Sequence, residues 1–229
     1  MNSMEQAEID FNERVNTGTS WTRNQDFDRN GYLIVRDLCD PQELYREVPE
    51  IRGQINYWGA KEDEFHYSPE EGQVDGSLAV YSHPQYRQVH SKVRLKLEKI
   101  IGRKLYNTYY YDRFYFAGQD LKNHTDRWAC EISVSIHISS NTDKPWPLWI
   151  KTPYGEERSG ELRPGDGMIY KGCERPHWRY PLPGKENNLS WLDKIRKKEF
   201  IDDTYYHQVF FHYVLQDGLR AHCAWDKSS

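Results

Sequence analysis

The sequence predicts an α+β protein that is mainly β, in which several short strands form a sandwich or barrel after an N-terminal helical layer. Two patterns and the chain length carry this prediction. Residues 104–217 contain a succession of strand patterns separated by turns, and one long amphipathic helix precedes them. The length of 229 residues suits a single domain over 1–229. We expect a helical and mixed layer at 1–103, a β core at 104–217 and an insertion at 183–204.

The N-terminal layer begins with a polar segment at 1–25, which we expect to be an arm or a short helix. Residues 31–37 are rich in β-branched and aromatic types and predict a strand. A helix is predicted over 40–49, because Asp40 is a good N-cap and the proline after it is pre-organised for a first helical turn. The segment 54–80 shows no consistent period, which is typical of a long connection that could line a site.

The last part of this layer carries the clearest helical signal. From about 85 to 101, apolar residues recur at helical spacing with lysines and arginines between them, and Gly102 is placed to end the helix. Such a stripe predicts a helix that packs against a sheet. Its members are Val89, Val93, Leu97, Ile100 and Ile101.

The β core is predicted from runs of β-branched and aromatic residues bounded by turns. These runs span 105–116, 132–139, 149–151, 168–170, 177–180 and 206–215. The run at 132–139 alternates without interruption, so its four β-branched residues share one face of a strand. The insertion at 183–204 is charged and is predicted to be helical. It is either a lid over a site or a decorated loop.

Composition excludes several classes of protein. The net charge is −4 and the pI is about 6.1, which gives no reason to expect a nucleic-acid partner. No apolar stretch approaches the roughly 18 residues that a bilayer span requires, and the acidic N-terminus lacks the apolar region of a signal peptide. The four cysteines are dispersed, which argues against a disulfide framework. We therefore expect a cytoplasmic protein without a membrane partner.

The residues that indicate chemistry begin with His124 and Asp126. An imidazole and a carboxylate two positions apart in an extended segment project from the same face. Together they form two thirds of the facial triad that holds non-haem Fe(II) and leaves coordination positions open. His177, which follows a Pro-Gly-Asp turn late in the β core, is the candidate third ligand. We expect structural or surface roles for the other histidines, which are His66, His83, His90, His137, His207, His212 and His222.

Three blocks of sequence resemble the 2-oxoglutarate/Fe(II)-dependent dioxygenase superfamily, in particular its prolyl-hydroxylase-like members. Residues 115–126 resemble its signature of a tyrosine, a glycine and then His-x-Asp. Residues 162–170, followed by His177, resemble its block of a Pro-Gly-Asp turn, a strand and a distal histidine. Residues 208–214 resemble the closing strand of some bacterial and viral members. The resemblance covers roughly residues 105–217.

This resemblance implies a double-stranded β-helix, a jelly-roll or cupin-like core of two apposed sheets with N-terminal helices packed on one of them. It implies that His124, Asp126 and His177 bind Fe(II) at the open mouth of this core. The implied activity is that of an oxygenase, which uses O2 and couples oxidative decarboxylation of 2-oxoglutarate to hydroxylation of a substrate. We expect a small-molecule or peptide substrate, and the sequence does not predict an oligomeric state.

The residue that would hold the distal carboxylate of 2-oxoglutarate departs from the pattern of the superfamily. Members of the superfamily usually carry Arg or Lys about nine or ten residues after the distal histidine, where this sequence has Glu186 and Asn187. Arg179 is the first substitute, because it lies two residues after His177 and a guanidinium suits a carboxylate. The further candidates for contacts to the co-substrate are Arg113, Lys185 and the hydroxyl of Tyr115.

Two other interpretations fit the same residues. A cupin-like module could hold Zn or Ni structurally, or bind a partner without catalysis. Metal analysis in the presence of Fe(II) and 2-oxoglutarate separates such a module from an enzyme. An oxygenase with the same triad could also act without 2-oxoglutarate, and dependence on this co-substrate distinguishes the two.

Overall fold

A computed structural model describes residues 25–48, 73–74, 76–186 and 202–226 of the chain. These described residues are mostly β, with two antiparallel sheets and few helices. Three of the predicted segments fall largely outside the described residues. They are the N-terminal arm at 1–25, the long connection at 54–80 and the insertion at 183–204.

The larger sheet has six strands. In sheet order they are β1 (Tyr32–Val35), β8 (Gly167–Tyr170), β5 (Ile132–Ser140), β10 (Tyr205–Leu215), β3 (Leu105–Phe116) and β2 (Leu78–Tyr81). All neighbouring strands in this sheet are antiparallel. The pairing of β10 with β3 keeps one register until Phe211, which lies opposite Tyr110, and a bulge follows before Tyr213.

The smaller sheet has four strands, all antiparallel to their neighbours. In sheet order they are β4 (Leu121–His124), β9 (His177–Arg179), β6 (Leu148–Lys151) and β7 (Glu157–Gly160). β4 and β9 pair with Leu121 opposite Arg179 and with His124 opposite His177, and the register shifts between these two pairs. This sheet therefore carries both of the predicted metal-binding histidines on adjacent strands.

Two α-helices lie in the described part of the chain, α1 (Gln25–Asn30) and α2 (Tyr86–Ile101). α2 matches the helix predicted from the apolar stripe. It ends at Gly102, whose backbone is left-handed (φ 66°), a conformation that glycine adopts without strain because it has no Cβ. The stripe packs on the outer face of the larger sheet, where Leu97 and Val134 are fully buried in one cluster. No helix among the described residues is long and apolar enough to cross a bilayer.

The helix predicted over 40–49 is wrong. Only a 3-10 turn over Pro41–Glu43 is present, and the residues from 45 to 48 have no regular secondary structure. Asp40 does cap this turn, since its carboxylate accepts a hydrogen bond from the amide of Gln42 at 2.9 Å. The capping signal is therefore real, but the helix does not continue beyond it.

Two features explain why the turn stops. Leu44 is the only buried residue between positions 40 and 48, so no apolar stripe stabilises a longer helix. The side-chain amide of Gln85 also donates to the carbonyls of Glu43 and Tyr45, at 3.0 and 3.3 Å. These carbonyls would otherwise need the hydrogen bonds of a continuing helix.

Alternation along the strands separates the two larger clusters of buried side chains. The outer cluster lies between the larger sheet and α2 and includes the predicted apolar face of β5. The inner cluster lies between the two sheets and includes Tyr115 from β3 and Leu148 from β6. The other face of β5 carries Ser133, Ser135 and His137, all of them buried. Polar side chains are thereby brought into the space between the sheets.

Candidate metal centre

Three side chains meet where β4 ends and β9 begins. His124 ends β4, Asp126 lies two residues beyond it, and His177 begins β9. Their potential ligand atoms all lie within 4.8 Å of one another. Nε2 of each histidine is 3.5 Å from Oδ1 of Asp126. Two ligand atoms that bind the same first-row divalent ion, each at about 2.1 Å, lie about 3 to 3.5 Å from each other. The observed spacing therefore suits a single ion.

Backbone carbonyls orient both imidazoles. Nδ1 of His124 is 2.8 Å from the carbonyl oxygen of Lys122, and Nδ1 of His177 is 3.0 Å from that of Arg175. Because a carbonyl only accepts, the neutral imidazoles carry their proton on Nδ1 and keep a lone pair on Nε2. Both lone pairs are therefore presented beside Oδ1 of Asp126, in the arrangement that metal-binding histidines adopt.

The electrostatics of the cluster stabilise an ionised carboxylate. Burial alone would raise the pKa of Asp126, but the facing His177 and His124 and the hydrogen bond from Ser133 hold this pKa well below its ordinary value. Burial lowers the pKa of His177 and favours its neutral form. Burial also acts to lower the pKa of His124, but the contacts with Asp126 and with the Lys122 carbonyl raise it overall. A carboxylate and a neutral imidazole are the forms that bind a divalent metal.

A glycine gives the carboxylate its space. The backbone amide of Asp126 donates to the carbonyl of Gly172 at 2.9 Å. A Cβ at position 172 would clash with Oδ2 of Asp126 and would lie 2.6 Å from Oγ of Ser133. Only a residue without a side chain leaves Asp126 in this position.

Arg179, the first candidate for the co-substrate carboxylate, lies inside the protein. It is 2% exposed, and it projects from the same face of β9 as His177 because two positions separate them. Its Nη1 donates to the carbonyl of Trp146, and its guanidinium carbon is 4.3 Å from the centre of the Trp146 ring. Nε and Nη2 are buried without a hydrogen-bond partner among the described residues.

The other three candidates for co-substrate contacts divide between the interior and the surface. Arg113 and Tyr115 are buried on β3, where Nη1 of Arg113 is 3.4 Å from the hydroxyl of Tyr115. Lys185 is exposed, and its Nζ forms an ion pair with Asp203. The structure therefore brings two of these residues into the space between the sheets and leaves Lys185 outside it.

Two side chains contact the candidate centre although neither is a predicted site residue. Oγ of Ser133 is 2.8 Å from Oδ2 of Asp126 and 3.0 Å from Nδ1 of His212. Asp126, Cys130 and His212 also form a second group of potential ligands within 4.8 Å. The sequence contains one signal for the burial of Ser133. A strand with one apolar face and an opposite face of small polar residues can be buried on both faces.

Comparisons with known proteins bear on the fold. Neither a family model nor a curated protein matches the sequence. A 2OG-Fe(II) oxygenase family oxidoreductase from Burkholderia pseudomallei matches with a TM-score of 0.55 and 8% identity, over 89% of this chain and 91% of that chain. HygX from Streptomyces hygroscopicus, with nickel and 2-oxoglutarate bound, matches with a TM-score of 0.52 and 8% identity, over 82% of this chain and 84% of that chain.

A third solved structure that matches this chain is that of a prolyl hydroxylase. It is the enzyme from Trichoplax adhaerens in complex with a hypoxia inducible factor oxygen degradation domain peptide fragment, with a TM-score of 0.52 and 13% identity, over 93% of this chain and 94% of that chain. The two antiparallel sheets and few helices of this chain are consistent with the jelly-roll-like fold of these oxygenases. The chain therefore has the fold of the 2-oxoglutarate- and Fe(II)-dependent oxygenases, as the resemblance of its sequence predicts.

Proposed function

We propose that the protein is a non-haem Fe(II) oxygenase that couples oxidative decarboxylation of 2-oxoglutarate to hydroxylation of a substrate. The observation that carries this proposal is the convergence of His124, Asp126 and His177 in a chain with the fold of such oxygenases. We further propose that the two sheets form a double-stranded β-helix within a single domain, and that these three side chains lie at its mouth.

The donor set of the centre fits Fe(II). Two imidazole nitrogens and one carboxylate oxygen are the ligands of the facial triad, which leaves further coordination positions open to the co-substrate and O2. Bound Fe(II) with 2-oxoglutarate would supply the activation of O2, which side chains alone do not perform. The role of the protein is to hold the three ligands, orient the substrate and exclude water.

Arg179 is the proposed partner of the distal carboxylate of 2-oxoglutarate. A buried guanidinium with open donors is costly unless an anion pairs with it. Nε and Nη2, its two open donors, form the edge that binds a carboxylate through two parallel hydrogen bonds. Two strand positions separate Arg179 from His177, a rise of about 7 Å. A five-carbon dicarboxylate bound to a metal at His177 extends over a similar distance. Arg113 and Tyr115 are proposed to contact the co-substrate from β3.

The proposed substrate is a small molecule or a peptide. The prolyl hydroxylase with this fold is in complex with a peptide fragment, which supports a peptide as one option. The net charge of −4 supplies no electrostatic attraction for a nucleic acid.

Consumption of 2-oxoglutarate tests this proposal. Purified protein with Fe(II), O2 and panels of amino acids, peptides and small metabolites should form succinate, and the His124→Ala variant should not. The exposed His222 gives a matched control, because His222→Ala removes an imidazole away from the cluster. Wild-type succinate formation no greater than that of His124→Ala, across the substrate panels, would contradict the proposal.

A further inference from the structure

The two oxygens of the Asp126 carboxylate have different surroundings. Oδ1 lies 3.5 Å from Nε2 of His124 and 3.5 Å from Nε2 of His177. Oδ2 lies on the opposite side, where it is 2.8 Å from Oγ of Ser133. One oxygen therefore faces the candidate metal position, and a hydroxyl engages the other.

The hydrogen bonds around Ser133 have a defined direction. Oγ of Ser133 has two acceptors nearby, Oδ2 of Asp126 at 2.8 Å and the carbonyl of Cys130 at 3.2 Å, and the shorter contact to the charged oxygen takes its single proton. Oγ of Ser133 is also 3.0 Å from Nδ1 of His212 and, since its proton is used, it accepts from that nitrogen. Nδ1 of His212 therefore carries a proton, whichever charge the ring holds. The chain of donors therefore runs from His212 through Ser133 to Asp126.

The imidazole of His212 is itself held in place. Its ring stacks on that of Tyr109, with centroids 4.6 Å apart and an interplanar angle of 29°. His212 and Ser133 are direct cross-strand partners on β10 and β5. Both side chains are buried, where the low dielectric strengthens their hydrogen bond and makes its loss costly.

The second group of potential ligands, Asp126, Cys130 and His212, makes hydrogen bonds within the protein. Oγ of Ser133 already bonds the side chains of Asp126 and His212. Sγ of Cys130 is 3.2 Å from the hydroxyl of Tyr109. Burial raises the pKa of this thiol well above its ordinary value. Nε2 of His212 is buried without a hydrogen-bond partner among the described residues.

We propose that Ser133 and His212 are positioning residues that hold Oδ2 of Asp126 and leave only Oδ1 for the metal. The inference rests on the proposed function, since it concerns how the centre is built. A carboxylate held in this way binds through one oxygen and keeps a further coordination position open for the co-substrate or O2. Loss of either hydrogen bond would let the carboxylate rotate or bind through both oxygens.

Binding of Co(II) to the purified protein tests the role of Ser133. Ser133→Ala should raise the dissociation constant for Co(II) by about 10- to 100-fold, as expected for the partner of a metal ligand. It should also change the visible absorption of bound Co(II), which reports coordination geometry. Ser135→Ala is the matched control, because Ser135 is buried at the next inward position of β5 and contacts Gln208. This control should keep the wild-type affinity and absorption.

Two substitutions of His212 separate its hydrogen bond from its packing. His212→Asn places an amide donor near the position of Nδ1 but loses the ring, whereas His212→Phe keeps a ring against Tyr109 but has no donor. The proposal predicts that the Asn variant binds Co(II) more tightly than the Phe variant and keeps more of the wild-type absorption. The reverse order would show that packing alone matters and would overturn the inference. This pair decides the question even if Ser133→Ala does not fold.

The outcomes distinguish this inference from the proposed function. If the wild-type protein binds Co(II) no better than His177→Ala does, the metal centre itself is contradicted. If wild-type binding depends on His177 but Ser133→Ala has unchanged affinity and absorption, only the positioning role is contradicted.

Discussion

His124 and His177 are direct cross-strand partners on β4 and β9, and the centroids of their rings lie 4.3 Å apart. Their pairing follows a register shift after Leu121, and such bulges re-aim side chains next to functional sites. The shift allows both Leu121 and His124 to face inward although three positions separate them. Asp126 then follows within reach of both imidazoles.

The open donors of Arg179 lead to a first prediction. Arg179→Gln should weaken 2-oxoglutarate binding by about 30-fold or more, because truncation of a buried charge pair costs about 2–5 kcal/mol. Arg179→Lys should be intermediate, since it keeps the charge but loses the two-donor edge. Calorimetric titration of the metal-loaded protein with 2-oxoglutarate measures both. Co(II) affinity should stay at the wild-type value in both variants.

Arg158, a surface arginine paired with Glu156, provides the control for this comparison. Arg158→Gln should bind 2-oxoglutarate as the wild type does. Wild-type affinity in Arg179→Gln would assign the carboxylate to another residue, with Arg113 as the next candidate.

The space at Gly172 leads to a second prediction. Gly172→Ala should displace the carboxylate of Asp126, because the added methyl group would clash with Oδ2 and with the carbonyl of Cys130. We expect the variant to lose about 1–3 kcal/mol of stability, the usual cost of overpacking, and to bind Co(II) more weakly. Urea unfolding and metal titration measure the two effects. A variant with wild-type stability and metal affinity would show that the loop yields without moving Asp126.

The packing of α2 on the larger sheet leads to a third prediction. Leu97→Ala should lower the free energy of unfolding by about 2–5 kcal/mol, because Leu97 is fully buried in the outer cluster. Leu95→Ala, two positions away and 42% exposed, should change it by less than about 0.5 kcal/mol. Urea denaturation of the two variants measures this difference. Similar losses in both would contradict the assigned face of the helix.

A buried histidine on α2 leads to a fourth prediction, which concerns pH. The ring of His90 packs among those of Tyr110, Phe211 and Tyr213, with centroids 4.6–5.0 Å away. Burial lowers its pKa to about 3, whereas in the unfolded chain it should titrate near 6.5. Between these values only the unfolded state binds the proton, so stability is full above pH 6.5 and falls as the pH decreases. At pH 5 the loss from this residue is about 2 kcal/mol.

His90→Gln tests the pH prediction while keeping the hydrogen bond. Nε2 of His90 lies 3.1 Å from the carbonyl of His212, and a glutamine amide can donate to the same acceptor. The variant should lose about 2 kcal/mol less than the wild type between pH 7 and pH 5, as measured by urea unfolding. His222→Gln, at an exposed position, should retain the wild-type dependence. Identical pH dependence in all three proteins would remove His90 as its source.

The local signals of the sequence suffice for much of the β core. Runs of β-formers predict β3, β5, β8 and β10 to within one residue of their observed ends, because these strands are long or buried on both faces. β7 is not predicted from the sequence, because Glu157–Gly160 contains no apolar residue. The strand lies at the edge of its sheet and pairs only with β6. Its strand conformation comes from tertiary pairing rather than from its own sequence.

The candidate site shows the same division between local and long-range information. The spacing of His124 and Asp126 is local, and the position of His177 follows from the order of motifs, so the sequence predicts that they meet. Their binding of iron stays a prediction. The contact of Ser133 with His212 depends on the register of β5 with β10, which no local pattern specifies.

One spectrum tests the central claim most directly. Anaerobic addition of Fe(II) and 2-oxoglutarate to the wild-type protein should produce the weak visible charge-transfer band of a chelated 2-oxo acid. The band should be absent from His124→Ala, Asp126→Ala and His177→Ala and present in His222→Ala. A wild-type protein without the band, or a band that persists in His177→Ala, would contradict the assignment of these three side chains as the iron ligands.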